Sequence, residues 1–96
     1  DFKEKHLRFI FNPIDQIQQD YLRAIRYIRF LSLFKKTKTR IEDIEAILIL
    51  SKNIFDLVKE KKISQELGKI KEMPYPLNSI SFLEKHQELR DFLQLI

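Results

Sequence analysis

Asn12-Pro13-Ile14-Asp15-Gln16-Ile17-Gln18-Gln19-Asp20-Tyr21-Leu22-Arg23-Ala24-Ile25-Arg26-Tyr27-Ile28-Arg29-Phe30-Leu31 is the stretch that decides the fold class. Asn12 can accept from free N–H groups at a helix start, and Pro13 at the first helical position gives up no needed donor. From Ile14 the apolar residues Ile17, Tyr21, Ala24, Ile25, Ile28 and Leu31 recur at three- and four-residue steps. That spacing predicts one amphipathic helix reaching about Phe34.

Lys35 to Arg40 contains no apolar residue and interrupts the pattern, reading as a solvated charged turn. Thr39 and Glu42 then have the spacing of a capping box. Ile41, Ile44, Ile47 and Leu48 predict a second buried stripe, ended or bent at Ser51-Lys52-Asn53 before Ile54, Phe55, Leu57 and Val58. Ile63, Leu67 and Ile70 mark a further helix, which contains Gly68 and is stopped by Met73-Pro74-Tyr75-Pro76, because a residue before proline is pushed toward extended geometry. Asn78 or Ser79 can cap a last helical stretch carrying Ile80, Leu83, Leu89, Phe92 and Leu93. No strand-like alternation competes, so the expectation is all-α: one unit over residues 1–96, a bundle of about five helices without a sheet.

Composition bounds the function. With 96 residues, 33% charged and 44% hydrophobic, the chain fits one globular domain that buries roughly two-thirds of its unfolded surface. The absence of Cys excludes disulfides and thiolate chemistry and suits a reducing compartment, so cytoplasm is the expected location. The longest apolar run, Ala46 to Leu50, is far too short for a membrane span. His6 and His86 have no partner at ligand spacing, so no metal site is expected. Most of the eight Phe and three Tyr belong to apolar stripes, with Tyr27 and Tyr75 expected outside. Neither a nucleophile triad, a Gly-rich phosphate loop nor an Asp-x-Asp pair is present, so no catalytic residue is assigned.

Charge is unevenly spread. Residues 1–40 hold ten basic and four acidic side chains, whereas residues 41–96 hold eight and ten. The positive excess near the N-terminal end suits a polyanion, because Lys and Arg that neutralise phosphates release counterions. Lys35, Lys36, Lys38 and Arg40 are the candidate RNA contacts. Arg23, Arg26 and Arg29 follow Asp20 at three-residue steps, and spacing alone sets Asp20 beside Arg23. A carboxylate and a guanidinium side by side offer a nucleobase edge an acceptor and planar donors.

Together with Asp1-Phe2-Lys3-Glu4-Lys5-His6-Leu7-Arg8-Phe9-Ile10, the stretch from Asn12 to Phe30 closely resembles the palm–neck junction of bacterial tRNA nucleotidyltransferases (CCA-adding enzymes) and poly(A) polymerases. The match covers about the first third of the chain, and several unlike residues agree in register. It implies a palm–neck junction over 1–11, neck helices over 12–73 and the start of the body over 74–96. It also implies that Asp20 and Arg23 select CTP and ATP by their Watson–Crick edges, with Arg26 helping to hold the triphosphate and Arg29 structural. The expected partners are tRNA or other RNA, CTP or ATP, and a separate palm domain. That palm would carry the catalytic carboxylates and Mg2+; this chain is expected to bind no cofactor and to be inactive alone. The sequence departs from the family where Phe11-Asn12-Pro13 replaces Gly-Asp-Pro, Gln16 replaces Arg and Gln19 replaces the motif Glu. These changes remove a flexible joint and a charge that would orient Arg23. The alternative is a stand-alone helical module of the same ancestry that binds a protein or itself.

Overall fold

A computed structural model describes residues 4–96, so Asp1-Phe2-Lys3 of the quoted resemblance lie outside the described residues. The elements run β1 (Glu4–Leu7), α1 (Pro13–Gln19), α2 (Leu22–Phe30), β2 (Lys36–Thr39), α3 (Ile41–Leu57), α4 (Glu60–Gly68), α5 (Pro76–Lys85). A 3-10 turn, Lys69–Glu72, extends α4, and a 3-10 stretch, Gln87–Leu95, follows α5. The protein is therefore a small, predominantly helical bundle with five α-helices among the described residues.

Asn12 caps α1 as expected, its side-chain oxygen accepting from Asp15 N–H at 3.3 Å with Pro13 as the first helical residue. The single helix expected to reach Phe34 is instead two. Asp20 is extended (φ −158°, ψ 102°), and its Oδ1 accepts from the Leu22 N–H at 3.0 Å. A short carboxylate that bonds its own chain two residues on offers the backbone an alternative to the helical ladder. Here it ends α1 and starts α2.

Lys36–Thr39 is a strand, not a charged turn, paired in parallel with β1 in the register Glu4–Lys36 to Leu7–Thr39. Parallel strands need a crossover of a dozen residues or more, and α1 and α2 supply it. Among the described residues, this small two-stranded sheet departs from the expectation of no sheet.

No capping box forms at α3. Arg40 is its N-cap residue without a side-chain cap bond, and the helix runs unbroken through Ser51-Lys52-Asn53. Its buried stripe is Asp43, Ala46, Ile47, Leu50, Ser51 and Ile54, which leaves Ile41 exposed rather than inside. Ser51 stays helical with its hydroxyl donating to the Leu48 carbonyl at 2.8 Å. Gly68 closes α4 in ordinary helical geometry, and the 3-10 turn ends before Met73-Pro74 as expected. Pro76, rather than Asn78 or Ser79, opens α5. Those two polar residues serve another helix: Asn78 Nδ2 donates to the Leu31, Phe34 and Lys35 carbonyls at 3.1, 2.9 and 3.2 Å. Ser79 Oγ donates to the Ile28 carbonyl at 2.6 Å, while Ser32 Oγ lies 2.5 Å from it. The free carbonyls at the end of α2 are thus satisfied from α5.

Ile17, Ile25, Ile28, Ile47, Ile54, Ile63, Leu67, Ile70, Leu83, Leu89 and Phe92 are fully buried in one cluster, each worth about 1.5–3 kcal/mol of hydrophobic transfer. α1 packs on α3, α2 on α4 and α5, and the final 3-10 stretch on α3, α4 and α5. Among the described residues no helix is long and apolar enough to cross a membrane.

A buried polar knot fastens β1 to this core. Asp43 has no exposed surface, and its Oδ2 accepts from the Phe9 N–H at 3.2 Å. Arg40 Nη2 donates to Asp43 Oδ1 at 2.9 Å and to the Phe9 carbonyl at 3.0 Å. The Tyr27 hydroxyl lies 3.0 Å from the Leu7 carbonyl and 3.2 Å from Asp43 Oδ2, and its ring stacks on Phe9 with centroids 4.8 Å apart. Tyr27, expected outside, is buried because its ring fills the core and its hydroxyl has partners there. Tyr75 is exposed.

Burial first, then the charge of Asp43 and a hydrogen bond to it, raise the Tyr27 phenol well above the ordinary tyrosine range. A raised folded-state pKa gives stability that is complete below the unfolded value of about 10 and is lost as pH rises through the folded value. Stability should therefore fall above about pH 10. Tyr27→Phe should remove this share of the decline; an unchanged alkaline melting curve in Tyr27→Phe would show that Tyr27 contributes none of it.

Candidate functional site

The break at Asp20 shapes the candidate site. In a continuous helix the Gln16 carbonyl would accept from the Asp20 N–H four residues on. That N–H instead turns to the Ile17 carbonyl at 3.1 Å. Arg23 Nη1 takes the released Gln16 carbonyl at 3.2 Å, together with Gln16 Oε1 at 2.8 Å and Gln19 Oε1 at 3.1 Å. Gln16 and Gln19 are thus the side chains that brace Arg23. Its Nε and Nη2 have no hydrogen-bond partner among the described residues.

Arg23 lies at the rim of a cleft of about 240 Å³. Leu7, Phe9, Ile10, Tyr27 and Phe30 form apolar walls, and Arg8, Gln16, Arg23 and Arg26 supply the polar atoms. Ile10 and Phe11, 84% and 72% exposed, continue the apolar surface outward.

The expected Asp20–Arg23 side-chain pair does not form. Asp20 turns to the Leu22 N–H and, at 3.6 Å, to Arg26 Nη1, and it is not among the residues lining the cleft. Arg26 is shared, its Nε lying 3.5 Å from Glu66 Oε1. Arg29 Nε is 3.4 Å from Glu66 Oε2, and Lys69 Nζ is 3.5 Å from Oε1. Arg29 Nε and Glu66 Oε2 are buried without a well-aligned hydrogen bond, so this contact is coulombic rather than directional. Arg29 is thus structural, tying α2 to α4. The available sequence signal for Glu66 was an acidic residue beside Leu67 on an otherwise apolar stripe.

The basic segment divides. Arg40 is committed to Asp43 and the Phe9 carbonyl, with its guanidinium held charged by that carboxylate. Lys35 and Lys36 line a separate groove of about 450 Å³ between β2 and α5, together with Lys85, which sequence reading did not single out. Lys38 lies outside that lining. Among the described residues no three His, Cys, Asp or Glu side chains gather where they could hold a metal ion.

No protein-family model, curated protein or solved structure matches this chain.

Proposed function

We propose that the chain is the neck, with the start of the body, of an RNA nucleotidyltransferase of the CCA-adding or poly(A) polymerase kind, and that Arg23 reads the incoming nucleotide. The observation that carries this reading is the open Nε–Nη2 fork of Arg23, braced on its other nitrogen by Gln16 and Gln19 beside an apolar cleft. A planar guanidinium fork suits two neighbouring acceptors. Cytosine offers such a pair in N3 and O2, whereas uracil places an N–H donor between its carbonyls and opposes the fork. The apolar walls suit the faces of a base, and Arg26 stands at the same rim to meet a phosphate. Asp20 acts through the joint it makes between α1 and α2, rather than by contacting the base. A palm domain would supply the metal-binding carboxylates and the chemistry, with tRNA or another RNA as acceptor, and cytoplasm is the corresponding location.

Titration of the chain with CTP, ATP, UTP and GTP, followed by amide chemical shifts, tests this. CTP should bind more tightly than UTP, and Arg23→Lys, which keeps the charge but loses the fork, should cost about 1–3 kcal/mol of binding. Equal affinity for the four nucleotides, unchanged in Arg23→Lys, would sink the reading. With a family palm domain added in trans, incorporation of labelled CMP into a tRNA lacking its 3′ CCA should also depend on Arg23.

The exposed Ile10 and Phe11 favour a second reading, a module that uses this apolar face to bind a protein or a second copy. Concentration-dependent mass in sedimentation without nucleotide binding would select it.

A further inference from the structure

We propose that the groove between β2 and α5 binds consecutive phosphate groups of an extended polyanion through Lys35, Lys36 and Lys85, assisted by the hydroxyls of Thr39 and Ser81. No carboxylate lines it, and none of the three lysines has an ion-pair partner among the described residues. By contrast, Arg29 and Lys69 pair with Glu66, and Arg40 is held by Asp43.

The groove is also held in shape. Asn78 on α5 bonds the carbonyls of Leu31, Phe34 and Lys35, which fixes the backbone carrying Lys35 against the helix carrying Lys85. Thr37 and Thr39 are two residues apart on β2 and so share a face. Leu31 and Phe82 add apolar lining that suits a sugar or the edge of a base better than a small ion. Charged amines and hydroxyls without a recognition pocket read a backbone, not a sequence.

Two sources present this chemistry, a single-stranded RNA backbone and inorganic polyphosphate. That RNA is the source rests on the function proposed above; the groove itself does not.

Binding of a fluorescent ten-nucleotide RNA and of inorganic polyphosphate to the whole chain tests the proposal. Three phosphate contacts on a single strand predict affinity weakening about 20-fold between 50 and 200 mM salt. In the Lys36→Gln/Lys85→Gln double variant the same change should weaken it only about 3-fold. Lys52→Gln/Lys61→Gln, equal in charge change but outside the groove, should retain most of the native salt dependence. Binding of either polyanion, lost in the groove variant and kept in the control, supports the proposal, and which one binds identifies the source. No binding of either, or equal loss in groove variant and control, overturns it. Arg23→Lys should leave this binding unchanged, so the nucleotide reading and the groove fail separately.

Discussion

Asp43→Ala should destabilise the protein by about 3–5 kcal/mol, the range for breaking a buried, hydrogen-bonded charge cluster. The carboxylate is fully buried and serves the Phe9 amide, the Tyr27 hydroxyl and the Arg40 guanidinium at once. Removing it strands the buried Phe9 amide, takes one of its two partner oxygens from the Tyr27 hydroxyl and leaves an arginine that no other described carboxylate meets. For a domain of this size the melting temperature should drop by on the order of 15 °C or more. Asp43→Asn keeps the shape and one acceptor oxygen, and should fall between. The loss should begin locally, because Asp43 and Arg40 are what tie the chain after β1 to α3. Hydrogen exchange at the Phe9 amide should therefore quicken before the bundle melts. A variant that melts with the parent protein would refute the role given to Asp43.

Phe92→Ala is expected to cost a comparable amount, about 3–5 kcal/mol, by a different mechanism. Phe92 has no exposed surface and stacks on Phe55 with ring centroids 4.1 Å apart. The segment carrying it, Gln87–Leu95, is a 3-10 helix far longer than the usual three or four residues. Its hydrogen-bond geometry is intrinsically poor, so packing through Leu89 and Phe92 holds it in place. Truncation leaves a cavity between α3 and this segment and should release the bond from Ser64 Oγ to the Leu95 carbonyl, 2.8 Å in the native chain. Amides of Gln87–Leu95 should lose protection while those of α2 keep theirs. Uniform protection in the variant would mean that the 3-10 segment stands without its anchor.

The helical class, the Asn12 cap, the α2 stripe and the Met73-Pro74 stop were legible because each depends on residues within one or two turns. What was not legible depends on partners far away in sequence. Lys36-Thr37-Lys38-Thr39 has no apolar pattern of its own and becomes a strand through pairing with β1. Asn78 and Ser79 looked like caps for their own helix, but α2 offered free carbonyls nearby. Asp43 was hidden because the buried stripe of α3 is rotated from the one expected: Ala46, Ile47, Leu50 and Ile54 face inward and Ile41 outward. An Asp three residues before Ala46 and three after an Arg was the available clue.

At the candidate site, spacing set Asp20 beside Arg23, a pairing that does not form. Three-residue neighbours meet only on an intact helix, and Asp20 breaks that helix. Lys85 could not have been joined to Lys35 and Lys36 from spacing, since the α2–α5 bonds that unite them lie outside any local pattern.

The clamp on Arg23 is made of amides. Glutamine has no proton to gain or lose in the range where carboxylates titrate, and it places no negative charge beside the guanidinium. Arg23 is thus oriented without being neutralised, and neither Gln16 nor Gln19 changes charge in acid. A carboxylate in either place would set the arginine's direction and cancel its charge together; with glutamines, orientation is separated from neutralisation, and the full positive charge is left for whatever enters the cleft.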